Sequence, residues 1–240
     1  MLFIQRIKYL YAGNYHGVSV GWLNKQGVEF ESSLQFFTAR GYDERLVVEA
    51  LQEGALQHEE ACRISKSKHY SERFNSECEM SKLLFVYILL EKPAIIVETG
   101  VANGISTKVI MSALERTGGC LHSFDVDEEA ALAYCGPGNW KFHLLPRKNI
   151  KKTFKAEIDK LSQVNLWLHD SNHGFKWQIF EYRLAISKLI SSDGLLVSDD
   201  IDASTAWGTL SKSLEYSFKM AFDKRKFIGF SEIRSNKSVK

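Results

Sequence analysis

From about residue 76 onward, short apolar runs alternate with stretches whose apolar residues recur every three or four positions. The first pattern suits buried strands and the second amphipathic helices. An apolar helix is predicted over 80–90, ended by Pro93, and a strand over 94–98. A glycine turn leads into a helix over 106–116, broken by Gly118-Gly119. Strand 121–125, helix 128–134, the turn Gly136-Pro137-Gly138, strand 141–145 and helix 150–161 follow. Strand 164–169 precedes helix 175–190, on which Ile179, Tyr182, Ile186 and Leu189 share one face. Strand 194–198, a helix over 211–218, and a closing antiparallel pair, 219–222 with 227–233, complete the series. Regular alternation of strand and helix predicts an α/β fold: a doubly wound, mostly parallel sheet covered on both faces.

Residues 1–75 lack this pattern. They hold Gly13, Gly17, Gly21 and Gly27, a polar helix over 43–67 and a basic loop over 65–71. The expected division is an N-terminal cap, 1–75, over the crevice of a ligand-binding domain, 76–240. A length of 240 residues suits such an arrangement. Thirty-one basic residues nearly cancel 29 acidic ones, for a net charge of +2. Nucleic acid is therefore not expected as a partner. Lys224-Arg225-Lys226 and the basic tail read as solvated surface. Cys62, Cys78, Cys120 and Cys135 form neither a zinc motif nor a disulfide framework, and Cys78 and Cys120 read as small core residues. No apolar run is long enough for a signal peptide or a membrane span, so a cytoplasmic protein without membrane partners is expected. A homo-oligomer is compatible with this composition.

Ligands of open α/β sheets bind beyond the carboxyl ends of the strands, at the switch point. There the sequence reads Glu98-Thr99-Gly100-Val101-Ala102-Asn103-Gly104-Ile105-Ser106. Gly100 permits a left-handed turn close to a ligand. Gly104 lets the next helix start near the sheet, and Ser106 can cap that helix or bond a ligand carboxylate. The dinucleotide pattern G-x-G-x-x-G is absent, because residue 102 is Ala, and no Lys follows Gly104 as a phosphate-binding loop requires. Asp125 ends the next strand and can accept hydrogen bonds from ribose hydroxyls, with Asp127 as the substitute or a helix cap.

The acidic-x-Gly-x-x-x-Gly-x-Ser loop resembles motif I of the class I S-adenosylmethionine-dependent methyltransferases, which are Rossmann-like. Asp170-Ser171-Asn172-His173-Gly174-Phe175 is similar to the D-x-x-H-x-[YF] element of a subgroup. That subgroup includes macrolide sugar O-methyltransferases and cephalosporin-hydroxylase-like proteins. Asp193-Gly194 through Asp199-Asp200 resembles its GG-x-x-x-x-D-[DN] strand end, with Asp193 replacing the first glycine. The likeness spans 76–200 and leaves 1–75 unplaced. It implies S-adenosylmethionine held by Glu98, Gly100, Asn103, Gly104, Ser106, Asp125 and Asp170, and a small-molecule or sugar hydroxyl as acceptor. Related metal-dependent enzymes place Asp, Asp and Asn where this chain has Asp170, Asp199 and Asp200.

If the fourth and fifth of these strands are neighbours, those three carboxylates converge. They then require protons or a cation such as Mg²⁺. The alternative is that they cap helices or bond loop backbones. Without a metal, His173 is the general base, assisted by Asp170. His173 can equally be a helix-start residue bonded to backbone. His169 points to the opposite face of its strand. Trp167 and Trp177 read as core, and Trp207 as a substrate wall. Competing readings are a nucleotide- or NAD-dependent oxidoreductase and a non-catalytic binding protein on the same fold.

Overall fold

The computed structural model describes residues 17–65, 70–72 and 75–235. Its N-terminal elements are α1 (Val20–Lys25), β1 (Glu29–Phe30), α2 (Ser33–Ala39) and α3 (Glu44–Ile64). Then come α4 (Cys78–Glu91), β2 (Ile95–Thr99), α5 (Ile105–Thr117), β3 (Cys120–Asp125), a 3₁₀ turn (Glu128–Leu132) and β4 (Trp140–Leu144). Next are α6 (Ile150–Asp159), β5 (Leu166–His169), α7 (Phe175–Leu189), β6 (Gly194–Ser198), α8 (Ala206–Ser213), β7 (Phe218–Asp223) and β8 (Lys226–Ile233).

Eight strands form one sheet in the order β1-β7-β8-β6-β5-β2-β3-β4. All neighbours run parallel except β8, which is antiparallel to both β6 and β7. The Rossmann-like, mostly parallel sheet with a closing antiparallel pair is thus observed. The period-two alternation of strand side chains explains the two cores. Ile96, Leu166, Leu168, Leu195 and Val197 face α4 and α5, whereas Val97, Trp167 and Leu196 face α6, α7 and α8. Helix α4 is buried all round, from Met80 to Ile88, because it lies between α3 and the sheet. It stops at Glu91, one residue after its expected end, because Lys92 is left-handed and precedes Pro93.

Three expectations need correction. The helix expected over 211–218 is α8, starting at Ala206. Ala206, Trp207 and Leu210 supply its buried face, and the chain is already extended at Leu214. The helix expected over 128–134 is a short 3₁₀ turn that Asp127 caps. Strand β1 was not legible, because two exposed residues carry no periodic signal. Beside β7 it becomes an edge strand of the main sheet. The described N-terminal residues therefore share the sheet and cores of the later ones: α1 packs on α8, and α3 on α4 and α5. All four cysteines are free; Cys120 is buried and Cys78 half-buried. Among the described residues, no helix is long and apolar enough to cross a membrane.

One long-range cap gives a stability prediction. Helix α4 has no side-chain cap of its own. Asp223, from β7, accepts the backbone N–H groups of Glu79 and Met80 at 2.9 and 2.8 Å. Burial pushes its carboxyl up to about 7, against the pull of these two bonds. Unfolded aspartate titrates near ~3.9. Folding therefore favours the protonated form, and this contribution is lost as the pH rises through 7. The melting temperature should decline between pH 5 and 8, as judged relative to Asp223→Asn, whose curve should be flatter. Parallel curves would remove Asp223 from the account.

Candidate functional site

The chain runs β2, β3, β4 in one direction, then crosses back to β5 and β6. The switch point therefore lies between β2 and β5. Their ends are tied together by Asp170 N–H donating to Thr99 O at 2.9 Å. Beyond these ends opens a cleft of about 520 Å³, a size that small-molecule ligands occupy. Phe124, Val126, Leu145, Ile150, Phe154 and Trp177 give it apolar walls. Tyr70, Thr99, Asp125, Arg147, Asp170 and Asn172 give it a polar rim.

The glycine loop is left-handed at Gly100 (φ 81°), Ala102 (φ 44°) and Gly104 (φ 69°). Ala102 thus adopts a conformation that glycine would take without strain. The loop is anchored by Asp125, whose carboxylate accepts Val101 N–H at 2.8 Å, Ala102 N–H at 3.4 Å, Val126 N–H at 2.7 Å and Asp127 N–H at 3.0 Å. A carboxylate offers about four lone-pair positions. Four backbone N–H groups therefore already occupy them, so a ligand hydroxyl would have to displace the longest contact, that of Ala102. Asn103 is also engaged: its amide donates to Asn75 Oδ1 at 2.7 Å.

Glu98 and Ser106 do not face the cleft. Glu98 is fully buried and accepts hydroxyls from Ser106, Thr107 and Ser123 at 2.6–2.7 Å. Burial pushes its carboxyl up, against these three bonds. The pair fastens α5 to β2 and β3 beneath the loop. Sequence reading mistook them for ligand contacts because a strand end reveals position but not which side of the sheet is occupied. Gly104, not Ser106, is the N-cap of α5, and it makes no side-chain cap bond.

On the β5–β6 side, the expected convergence of acids is present. Asp170, Asp199 and Asp200 follow adjacent parallel strands. His173 lies between them, with Nε2 3.7 Å from Asp170 Oδ1 and Nδ1 3.6 Å from Asp200 Oδ2. Its Nε2 is buried and has no hydrogen-bond partner among the described residues. Burial, then the neighbouring His169, lowers its imidazole to about 4, so it is neutral at pH 7. His169 is fully buried and stands edge-on to the His173 ring, with centroids 5.5 Å apart and Nδ1 2.9 Å from Glu181 Oε2, so it does not point away from His173 as expected. Glu181 also accepts from Thr99, from both Trp167 and Trp177 indoles, and from Ser171, so it braces the cleft wall from below.

A lysine completes this cluster. Lys226, at the start of β8, is 5% exposed, so the basic run 224–226 is not all solvated surface. Its Nζ contacts Asp199 Oδ2 and lies 3.9 Å from Asp200 Oδ2. Burial opposes its charge, but the three acids outweigh burial and hold the ammonium charged. Burial likewise opposes the charge on Asp199, yet Lys226 and His173 hold it below the usual carboxylate range. Asp170 is pushed well up by burial and by Asp199, and Asp200 is pushed up to about 7 by the same two causes.

Asp170, His173 and Asp199 offer donor atoms within 4.8 Å of one another, a spacing that a divalent ion could bridge. The ammonium argues against it. Two unit charges 4 Å apart interact by about 4 kcal/mol at an effective dielectric of 20. A divalent ion there would meet roughly twice that repulsion from Lys226. The expected Asp170/Asp199/Asp200 metal set therefore does not fit while Lys226 occupies it.

The tryptophans exchange roles. Trp207, expected as a substrate wall, is fully buried against Tyr182 and Phe218. Trp177, expected in the core, lines the cleft and donates its indole N–H to Glu181 at 2.8 Å. Leu145, Arg147 and Ile150 were missed; only their place at and just after the end of the third predicted strand could have signalled them.

A doubly wound sheet with a switch-point cleft, a glycine loop and an acid at the next strand end defines a Rossmann-like domain. Residues 97–201 match the family model described as a methyltransferase domain. Solved structures share its fold. The O-methyltransferase TomG from Streptomyces achromogenes, in complex with SAM, is 13% identical with a TM-score of 0.53, over 78% of this chain and 90% of that one. An O-methyltransferase from Bacillus cereus, in complex with SAH, is 10% identical with a TM-score of 0.53, over 73% and 90%. The Podospora anserina methyltransferase PaMTH1, bound to SAH, is 10% identical with a TM-score of 0.54, over 96% and 95%. No curated protein sequence matches the chain.

Proposed function

We propose that this chain is an S-adenosylmethionine-dependent methyltransferase that methylates a hydroxyl of a small molecule, with His173 as general base. The observation that carries this reading is the unpartnered Nε2 of a neutral, half-buried His173 beside the switch-point cleft. The methyltransferase domain match and the SAM- and SAH-bound proteins of the same fold support the cofactor. An apolar slot between Val126, Leu145, Ile150 and Trp177 suits a flat base, and Asp125 would take a ribose hydroxyl in place of its long Ala102 contact. S-adenosylmethionine supplies an electrophilic methyl group. The chain's own residues must then align the acceptor and remove its proton. Asp199, which is held ionised, faces the imidazole and would stabilise the imidazolium that proton transfer creates.

The direct test is calorimetric titration of S-adenosylhomocysteine into the folded protein. Binding supports the reading, and its absence ends it. Asp125→Ala should weaken that binding by about 1–3 kcal/mol, from one lost hydroxyl contact and a loosened loop. Unchanged affinity would move the ribose contact elsewhere.

A further inference from the structure

We propose that Lys226 is the resident cation of the acid cluster, standing where a divalent ion would otherwise sit and positioning Asp199 and Asp200 around His173. This inference rests on the methyltransferase reading only for its catalytic consequence, which is that methyl transfer needs no added metal.

The geometry is built by the β7–β8 hairpin. Asp223 pairs with Lys226 across a turn whose Lys224 is left-handed, at φ 53°. The next residue, Phe227, is tied to the loop after β6 on both sides. Its carbonyl accepts Ile201 N–H at 3.0 Å, and its own N–H donates to Asp202 Oδ1 at 3.3 Å. These bonds fix the start of β8 against Asp199 and Asp200, so the Lys226 side chain arrives from a rigid strand. Its ammonium contacts Asp199 Oδ2 directly and leaves Asp199 Oδ1 buried without a partner among the described residues. An ammonium is a compact point charge, which suits a position shared by two carboxylates.

The test is Mn²⁺ binding to the whole chain after EDTA treatment and dialysis, read by the loss of the free-ion electron paramagnetic resonance signal. Wild-type protein should bind no Mn²⁺ at this cluster. Lys226→Met and Lys226→Gln, checked for folding by circular dichroism, should each gain one Mn²⁺ per chain, with a melting temperature that rises as Mn²⁺ is added. One wild-type Mn²⁺ that disappears in Asp199→Asn would overturn the proposal. So would a folded Lys226 variant with no gain. The wild-type titration stands even if neither variant folds. Parallel S-adenosylhomocysteine titration separates the two ideas, because its failure ends the methyltransferase reading and leaves the Mn²⁺ result intact.

Discussion

Replacing His173 by Ala should lower methyl transfer by two to four orders of magnitude and leave S-adenosylhomocysteine affinity unchanged. A positioned general base contributes about 10²–10⁴-fold. His173 lies outside the cofactor cleft's walls, so its loss removes proton transfer without removing cofactor contacts. Turnover can be followed as S-adenosylhomocysteine release across a panel of hydroxylated acceptors. The pH profile supplies an independent check. An exposed imidazole would lose half its basic form near pH ~6.5. Burial and His169 lower that of His173 to about 4, so the basic form persists through the neutral range. The acid limb of kcat/KM should therefore lie well below pH 6 in the wild type and vanish in the variant. An active His173→Ala protein with an unaltered profile would refute the assignment.

Gly100→Ala should cost about 2–5 kcal/mol and abolish cofactor binding. A Cβ there would stand 2.0 Å from the carbonyl oxygen of Asp170 and 2.6 Å from its carbonyl carbon. Both atoms are backbone, so neither can rotate aside. A left-handed alanine adds ~1–2 kcal/mol and the overpacking ~1–3 kcal/mol. For a chain of this size the melting temperature should fall by roughly 2–4 °C per kcal/mol. Gly118→Ala is the control. Gly118 also has a positive φ, 78°, but nothing lies within 4 Å of its added Cβ. It should show the conformational penalty alone. Equal losses at both positions would mean that the contact with Asp170 does not matter.

Position at a strand end was legible in the sequence, and packing was not. The loop 98–106, Asp125 and the cluster Asp170, His173, Asp199 and Asp200 could be picked out because strand ends mark the carboxyl edge of the sheet. His169 is read by strand alternation as pointing away, yet it packs edge-on against His173, because the loop that carries His173 folds back over it. The roles of Glu98, Ser106, Trp177 and Trp207 could not be read this way. Each sits at the right place along the chain, and its function depends on which surface packs against it. Glu98 is enclosed by three hydroxyls, and Trp207 by Tyr182 and Phe218.

Alone, the sequence determined the alternation of strand and helix, the glycine loop at the switch point and the line of acids facing it. These follow from local periodicity and from where strands must end. Tertiary structure alone decided that β1 joins the sheet, that Asp223 caps a helix far away in the chain, and that Lys226 enters the acid cluster. Lys226 and Asp199 are 27 residues apart, and their meeting depends on the antiparallel pairing of β8 with β6. No periodicity encodes that pairing, because its register is set by hydrogen bonds between distant segments and by the packing that buries both.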